Sequence, residues 1–262
     1  MADFSGADLR GSRFERADLS GAQFWASDLT GAWLRGVDLH DVVMRGVELC
    51  DVDISGWIEN VTINGVGVGP LIEAELDRRD PDRAKMRPDD PAGFRAAWDI
   101  LGRRWERTVE RARRLPPERL HERLHESVDG EWSFTETLRH LLFATDAWVG
   151  RAILGDTSPW DPLGLPWGEM PDTPVVPRDR DARPSLDAVL ALRRARTAMV
   201  HDVLTGLTDE SLAAHTTPPG GFGWPPPESL PVKKCLLIVL NEEWEHRLYA
   251  ERDLTALEAR EP

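Results

Sequence analysis

Residues 229–253, SLPVKKCLLIVLNEEWEHRLYAERD, decide how the second half of the chain folds. As one helix, this segment has an apolar stripe at steps of three and four residues, and Glu242 and His246 lie one turn apart on that stripe. A carboxylate and an imidazole in an apolar row are exposed, paired with each other, or ligands to a metal ion. The side chains that other helices bring to this face decide among the three.

Three more helices are predicted upstream of this segment. Residues 91–114 follow an N-cap signal, and residues 134–155 follow a capping box formed by Ser133 and Glu136. Residues 185–206 have the apolar spacing of a third helix. With the closing segment, these helices predict an all-α four-helix bundle with long loops at its ends.

A different period governs the beginning of the chain. Residues 2–56 divide into eleven pentads, ADFSG, ADLRG, SRFER and so on, each with a large apolar residue in the third place. A period of five fits neither a helix nor a strand, so we expect the chain to turn a corner every five residues, with the third side chain pointing inward. The third-place residues are Phe4, Leu9, Phe14, Leu19, Phe24, Leu29, Leu34, Leu39, Met44, Leu49 and Ile54.

The pentads resemble the pentapeptide-repeat family, whose members form a right-handed quadrilateral β-solenoid with four pentads per coil. Eleven pentads would make slightly under three coils. Some members imitate DNA and protect topoisomerases, and this segment is acidic, with ten Asp and Glu against five Arg. Because the segment is short, we favour a structural or dimerising module.

The change of period predicts a multidomain chain. We assign residues 1–69 to the β-solenoid, residues 70–90 to a linker with a short helix, and residues 91–262 to the helical bundle. The formal net charge of −14 argues against a nucleic-acid partner. A small-molecule ligand and a homodimer are compatible with this charge.

The sequence also predicts the compartment. The two cysteines are far apart, no apolar run is long enough to span a membrane, and the first residues lack a basic and an apolar leader region. We therefore expect a cytoplasmic protein without a membrane partner. The excess of Arg over Lys is typical of a GC-rich bacterial genome.

A second resemblance rests on the pattern WSxxExLxHL at residues 132–141 together with the closing helix. These segments are similar to the DinB-like (YfiT-type) superfamily over about residues 91–253. Its members are four-helix bundles that commonly hold a divalent metal with three histidines, one in the second helix and an HxxxH pair in the fourth.

The resemblance assigns three metal ligands in this chain. His140 matches the first histidine and His246 the last, while Glu242 stands where the family has a histidine. A carboxylate is still a competent ligand, and zinc or nickel is the expected metal. Two alternatives remain: Glu242 and His246 can pair with each other, and His140 can be a hydrogen-bonded core residue. Glu243 is the rival acid, but its spacing favours an exposed salt bridge with Arg247.

Other residues are candidates for a pocket. Tyr249 follows His246 by three positions and is our candidate for orienting a water or substrate. The aromatic residues of two Pro-rich loops either wall a pocket over the metal or fix the loops to the bundle, and His201 either enters the cavity or has a structural role. Cys235 is expected in the core and the remaining histidines in solvent. The loop aromatics are Trp160, Trp167, Phe222 and Trp224, and the solvated histidines are His40, His121, His125 and His215.

The DinB-like resemblance implies a metal-dependent enzyme acting on a small molecule. Relatives include transferases that use a low-molecular-weight thiol such as mycothiol or bacillithiol, and such a thiol would be the cosubstrate here. The alternative is a non-catalytic protein, either a scaffold that dimerises through the repeats or a resistance factor that binds a toxic compound. Protection of a topoisomerase is a third, less favoured function.

Overall fold

The computed structural model describes residues 3–260, and the chain divides into two compact units, one ending at Gly56 and one beginning at Trp57. The division falls earlier than residue 69 because the segment after Trp57 forms a hairpin that leads directly into the first helix. Strands β1 (Thr62–Ile63) and β2 (Val66–Gly67) pair antiparallel across Asn64-Gly65, whose φ angles of 50° and 80° suit a type I′ turn.

The first unit turns at regular intervals along the pentads. In the pentad ADLSG, the carboxylate of Asp18 accepts a hydrogen bond from the backbone N–H of Ser20 at 2.9 Å. The backbone N–H of Ala22 then donates to the carbonyl of Leu19 at 2.9 Å, with Gly21 at a φ of 74°. An Asp that binds the backbone two residues on, followed by a glycine with positive φ, closes a tight turn.

The third-place side chains of the pentads do not point into a covered interior. Each keeps between 42% and 67% of its surface exposed, from Leu9 at the low end to Ile54 at the high end. The repeat predicted that these side chains pack inward, whereas in the structure they are exposed. A tight turn fixes the backbone corner locally, but an apolar side chain is buried only when another layer of the protein covers it.

The second unit is helical. It begins with two short helices, α1 (Gly69–Arg79) and α2 (Pro81–Ala84). Four longer helices follow, interrupted by the short helices α4 (Leu120–Leu124) and α7 (Asp209–Ala213). The longer ones are α3 (Pro91–Ala112), α5 (Phe134–Thr145), α6 (Leu186–Thr205) and α8 (Val232–Ala259).

Packing places α5 between α6 and α8, while α3 contacts both α6 and α8. One apolar core joins Phe94 and Leu101 of α3 to Leu236 of α8, and a second joins Leu138 of α5 to Leu254 of α8. Helix α8 contributes to both cores and is the longest helix of the second unit. Among residues 3–260, no helix combines the length and the apolar character that crossing a lipid bilayer requires.

The start of α5 follows the sequence prediction, but its end does not. Ser133 and Glu136 form the reciprocal capping box, with the Ser133 backbone N–H donating to the Glu136 carboxylate at 2.8 Å. After Thr145 the chain continues as a π-helix over Asp146–Arg151. Its wider turns change which side chains face the neighbouring elements. Asp146 there is buried and paired with Arg196 of α6 at 2.8 Å.

Candidate metal centre

Three side chains from two helices converge inside the helical unit. His140 lies in the second turn of α5, and Glu242 and His246 lie one turn apart on α8. Each offers one ligand atom, and these atoms all lie within 4.8 Å of one another. The Nε2 atom of His140 is 3.2 Å from Oε2 of Glu242. Among the described residues, this is the group of His, Cys, Asp and Glu side chains that could hold a metal ion.

Hydrogen bonds fix the tautomers of both histidines. Nδ1 of His140 lies 2.9 Å from the carbonyl oxygen of Leu165, and Nδ1 of His246 lies 2.9 Å from the carbonyl oxygen of Glu242. A carbonyl only accepts, so Nδ1 of each ring carries the proton. In a neutral imidazole the other nitrogen, Nε2, then has a lone pair available for a metal.

This assignment makes the contact between His140 and Glu242 informative. A bare Nε2 and a carboxylate oxygen are both acceptors, yet they face each other at 3.2 Å. Two acceptors at that distance need a proton or a cation between them. Ligand atoms that share one ion at bond lengths of about 2.0–2.1 Å in a tetrahedral arrangement lie roughly 3.3 Å apart. This pair of atoms therefore has the spacing of two ligands of one divalent ion, and the ligand atom of His246 lies within 4.8 Å of both.

The electrostatics of the cluster agree with this chemistry. Burial, helped by the neighbouring His140, lowers the pKa of His246 to about 4, so its imidazole is neutral at physiological pH. Burial alone would raise the pKa of Glu242, but the neighbouring His140 and His246 bring that pKa below its usual value. The site therefore offers a neutral imidazole and a carboxylate anion, which are the protonation states that metals bind.

Trp132 covers the two histidines, and sequence reasoning missed this role. Its ring centroid is 4.6 Å from that of His140 and 6.1 Å from that of His246. The two imidazoles are themselves stacked at 4.7 Å. The signal was present in the sequence, because Trp132 directly precedes the capping residue that fixes the start of α5.

Three of the four loop aromatics gather beside the centre. The ring of Phe143, 5.9 Å from His140, contacts Trp160 at 5.7 Å and Trp167 at 6.0 Å. Trp224 reaches the same group by an edge contact with Trp167 at 5.0 Å. We call Phe143, Trp160, Trp167 and Trp224 the aromatic cluster. It brings both long loops against α5.

The other two pocket candidates lie elsewhere. Phe222 is 75% exposed, and the side chain of His201 is 65% exposed. Phe222 follows two glycines in its loop, and His201 is on the outer side of α6, so neither faces the cluster that was predicted for it. The prediction of both as pocket residues is therefore not supported by their positions.

Tyr249 stands at the edge of the site. Its ring meets that of His246 edge-on, with 5.7 Å between centroids, and 42% of the residue is exposed. Burial of the hydroxyl raises the pKa of Tyr249, so the phenol stays protonated at neutral pH. The side chain can donate a hydrogen bond to a molecule that approaches from solvent.

Glu243 corrects the sequence analysis. The predicted exposed salt bridge with Arg247 is wrong, because Glu243 is buried and binds Arg193 of α6 through both carboxylate oxygens. Arg247 instead lies over the ring of Trp244, 5.3 Å from its centroid. Glu243 is thus occupied, which leaves Glu242 as the carboxylate of the centre.

Of the remaining cysteine and histidine predictions, only the one for His125 differs from the structure. Cys235 is fully buried in the core as expected, and burial raises the pKa of its thiol to about 11. His125 differs from its prediction as a solvated residue, since it is half-buried with Nε2 at 3.0 Å from the carbonyl oxygen of Pro184. The other three are exposed as predicted: His40, His121 and His215.

The chain thus joins a helical unit that carries a candidate metal centre to a repeat segment, and both parts match known families. The family model described as DinB superfamily matches residues 100–250, more than half of the chain, and the chain belongs to this superfamily. The model described as Pentapeptide repeats (8 copies) matches residues 2–32 and 17–56. The fusion predicted from the sequence is therefore confirmed. No curated protein and no solved structure matches the chain.

Proposed function

We propose that the helical unit is a divalent-metal-dependent enzyme that transfers a low-molecular-weight thiol, such as mycothiol or bacillithiol, to a small electrophilic molecule. The single observation that supports it most is the approach of His140 Nε2 to Glu242 Oε2 at 3.2 Å, with both imidazole Nδ1 atoms already bound to carbonyls. The thiol chemistry is inferred from the DinB-like resemblance. Zinc and nickel are the metals that we favour.

In this proposal each residue has a defined task. His140, Glu242 and His246 hold the metal, and the metal supplies Lewis-acid stabilisation of a thiolate at neutral pH. Trp132 and the aromatic cluster keep water away from the ligands and offer apolar surface to the electrophile. Tyr249, with its protonated hydroxyl at the exposed edge, orients the incoming water or substrate.

Metal analysis of the purified chain tests the proposal. We expect about one zinc or nickel ion per chain and its loss in His140→Ala, because a catalytic site with three protein ligands cannot hold the ion with only two. His201→Ala is the matched control, since this histidine is exposed. A wild-type chain without stoichiometric metal, and with metal uptake unchanged in His140→Ala, would contradict the proposal.

The reaction is tested separately from metal binding. Mycothiol or bacillithiol is mixed with the metal-loaded chain and monochlorobimane, and the disappearance of free thiol is followed. Thiol consumption that Tyr249→Phe slows and His140→Ala abolishes supports the transferase. Binding of the electrophile without turnover would favour the non-catalytic binding protein instead.

A second candidate function is supported by the first unit. We propose that the repeat unit dimerises the protein through the apolar third-place side chains of its pentads. The supporting observation is the exposure of the apolar third-place side chains, for example Leu29 at 57% and Leu34 at 59%. Sedimentation of the full chain and of Leu29→Asp/Leu34→Asp tests it. A monomeric wild-type chain would rule out the dimer.

A further inference from the structure

Two arginines on the same helical stretch are fully buried, and each binds main-chain carbonyls. Arg139 lies in α5 and Arg151 closes the π-helix, and both have 0% exposure. Every hydrogen bond described for their guanidinium groups goes to a carbonyl oxygen of a long loop. A buried cation is costly unless acceptors surround it, so these carbonyls are essential partners.

Arg139 binds the loop between the π-helix and α6 at two places. Its Nε donates to the carbonyl of Leu163 at 2.8 Å. On the far side of the loop, Nη1 donates to the carbonyl of Ala182 at 3.1 Å, and Nη2 donates to that of Asp179. One side chain therefore ties the beginning of the loop to its end.

The main chain of the same residue holds the next part of the loop. The backbone N–H of Leu165 donates to the carbonyl oxygen of Arg139 at 3.2 Å. Between the two contacts lies Gly164, where an added Cβ would be 3.1 Å from the carbonyl of Asp161 and 3.7 Å from the side chain of Phe143. The segment 163–165 is thus pressed against α5 along its length.

This segment carries the carbonyl that binds a ligand of the metal centre. Leu165 oxygen is the partner of Nδ1 of His140 at 2.9 Å, and Leu165 itself is fully buried. The carbonyl at Leu165 is placed by the bonds that Arg139 makes on either side of Gly164. A loss of the guanidinium bonds would release Leu163 and, through the short segment, Leu165.

We propose that Arg139 is a positioning residue for the metal centre: by holding segment 163–165 it keeps the Leu165 carbonyl on Nδ1 of His140 and reserves Nε2 for the metal. This inference rests on the proposed metal centre for its functional meaning. Its structural part, the tautomer of His140, is independent of any metal. Outer-shell partners of this kind are worth about tenfold to a hundredfold in metal affinity.

Arg151 is the matched control within the same chain. It is equally buried and donates to the carbonyls of Pro225 at 3.2 Å, Gly220 at 3.4 Å and Gly221 at 3.0 Å. Its loop contributes Trp224 to the aromatic cluster, but the described hydrogen bonds of the metal ligands are made with other residues. A change at Arg151 therefore costs stability without touching the partner of His140.

The experiment compares Arg139→Lys with Arg151→Lys in the full chain. Lysine keeps the positive charge but replaces the planar fork of five N–H donors by three donors on one nitrogen. Zinc affinity is measured by competition with a chromophoric chelator, and stability by urea denaturation. We expect Arg139→Lys to weaken zinc binding by about tenfold or more, and Arg151→Lys to retain wild-type affinity at a comparable loss of stability. Equal zinc affinity in both variants would overturn the inference.

Nitrogen NMR of the metal-free chain gives the second readout, and its measurement on the wild-type chain tests the inference even if Arg139→Lys does not fold. In the wild-type chain Nδ1 of His140 should carry a proton, and in Arg139→Lys a fraction of the His140 rings should lack the proton on Nδ1. A wild-type ring protonated on Nε2 alone would overturn the inference. If the wild-type chain binds no zinc but the tautomer shifts as expected, the proposed function fails and the positioning role of Arg139 stands.

Discussion

Arg193 donates two parallel hydrogen bonds to the carboxylate of Glu243: Nη1 to Oε1 at 2.6 Å and Nη2 to Oε2 at 2.7 Å. Only 3% of the Glu243 side chain and 9% of the Arg193 side chain are exposed. Neighbours in sequence, Glu242 and Glu243 thus serve different helices: Glu242 faces His140 of α5, and Glu243 faces α6.

Removal of the buried charge at Glu243 should destabilise the fold and leave the metal centre intact. Glu243→Gln leaves the guanidinium of Arg193 without its anion, and breaking such a buried pair costs about 3–5 kcal/mol of unfolding free energy. Urea denaturation measures the loss. Metal content of the folded variant should equal that of the wild-type chain, whereas Glu242→Gln, the matched neighbour, should lose metal. If Glu243→Gln lost metal and Glu242→Gln kept it, Glu243 and not Glu242 would be the metal ligand.

Restoration of the family's third histidine should preserve metal binding. Glu242→His replaces one competent ligand by another on the same turn of α8, so we expect about one metal ion per chain. Because a neutral imidazole replaces a carboxylate, the net charge of the metal with its ligands becomes more positive by one. Isothermal titration with zinc and with nickel measures both affinities. A variant that no longer binds either metal would show that the carboxylate cannot be replaced at this position.

Truncation of Trp132 should open the centre to solvent. The ring lies 4.6 Å from His140, and its loss in Trp132→Ala uncovers both imidazoles. We expect faster transfer of metal to an added chelator, by about tenfold, with a smaller change in the number of ions bound. The control is Trp57→Ala, which removes a residue that is 85% exposed. Identical transfer rates in the two variants would contradict a covering role.

The two thiols should react at very different rates. Cys50 is exposed, while Cys235 is buried with a pKa of about 11. A raised pKa keeps the Cys235 thiol protonated as pH rises, so at pH 8 roughly one in a thousand is thiolate, and the core also excludes the reagent. A disulfide reagent should therefore modify one thiol in the native chain and two in guanidinium. In Cys50→Ser the native chain should not react until pH approaches 11 or the protein unfolds.

Local signals in the sequence predicted the start of α5 and the placement of Glu242 and His246 one turn apart on α8. Ser133 and Glu136 are three residues apart, and Glu242 and His246 are four apart, so short-range geometry alone places each pair. Glu243 shows where this reasoning ends. Its partner Arg193 is fifty residues away, and only the packing of α6 against α8 brings them together.

Helix rotation and loop paths explain the other differences. His201 and Phe222 were assigned to a pocket by residue type, but an amphipathic pattern does not fix which neighbour a helix face meets, and a glycine-rich loop can present its aromatic to solvent. Trp132 was quoted only as part of a motif, since its cover over the histidines depends on the path of the chain before α5. The π-helix after Thr145 also leaves no clear trace in the residue pattern.

The attachment of the loop to Arg139 has a genetic consequence. Its partners on the loop side are carbonyl oxygens at positions 163, 179 and 182, and every amino acid carries a carbonyl. Mutations that change the side chains of Asp179 or Ala182 leave these acceptors in place. On the helix side, no other residue type supplies the same planar fork of donors. The three guanidinium contacts that hold this long loop beside the candidate metal centre therefore depend on one codon, that of Arg139 in helix α5.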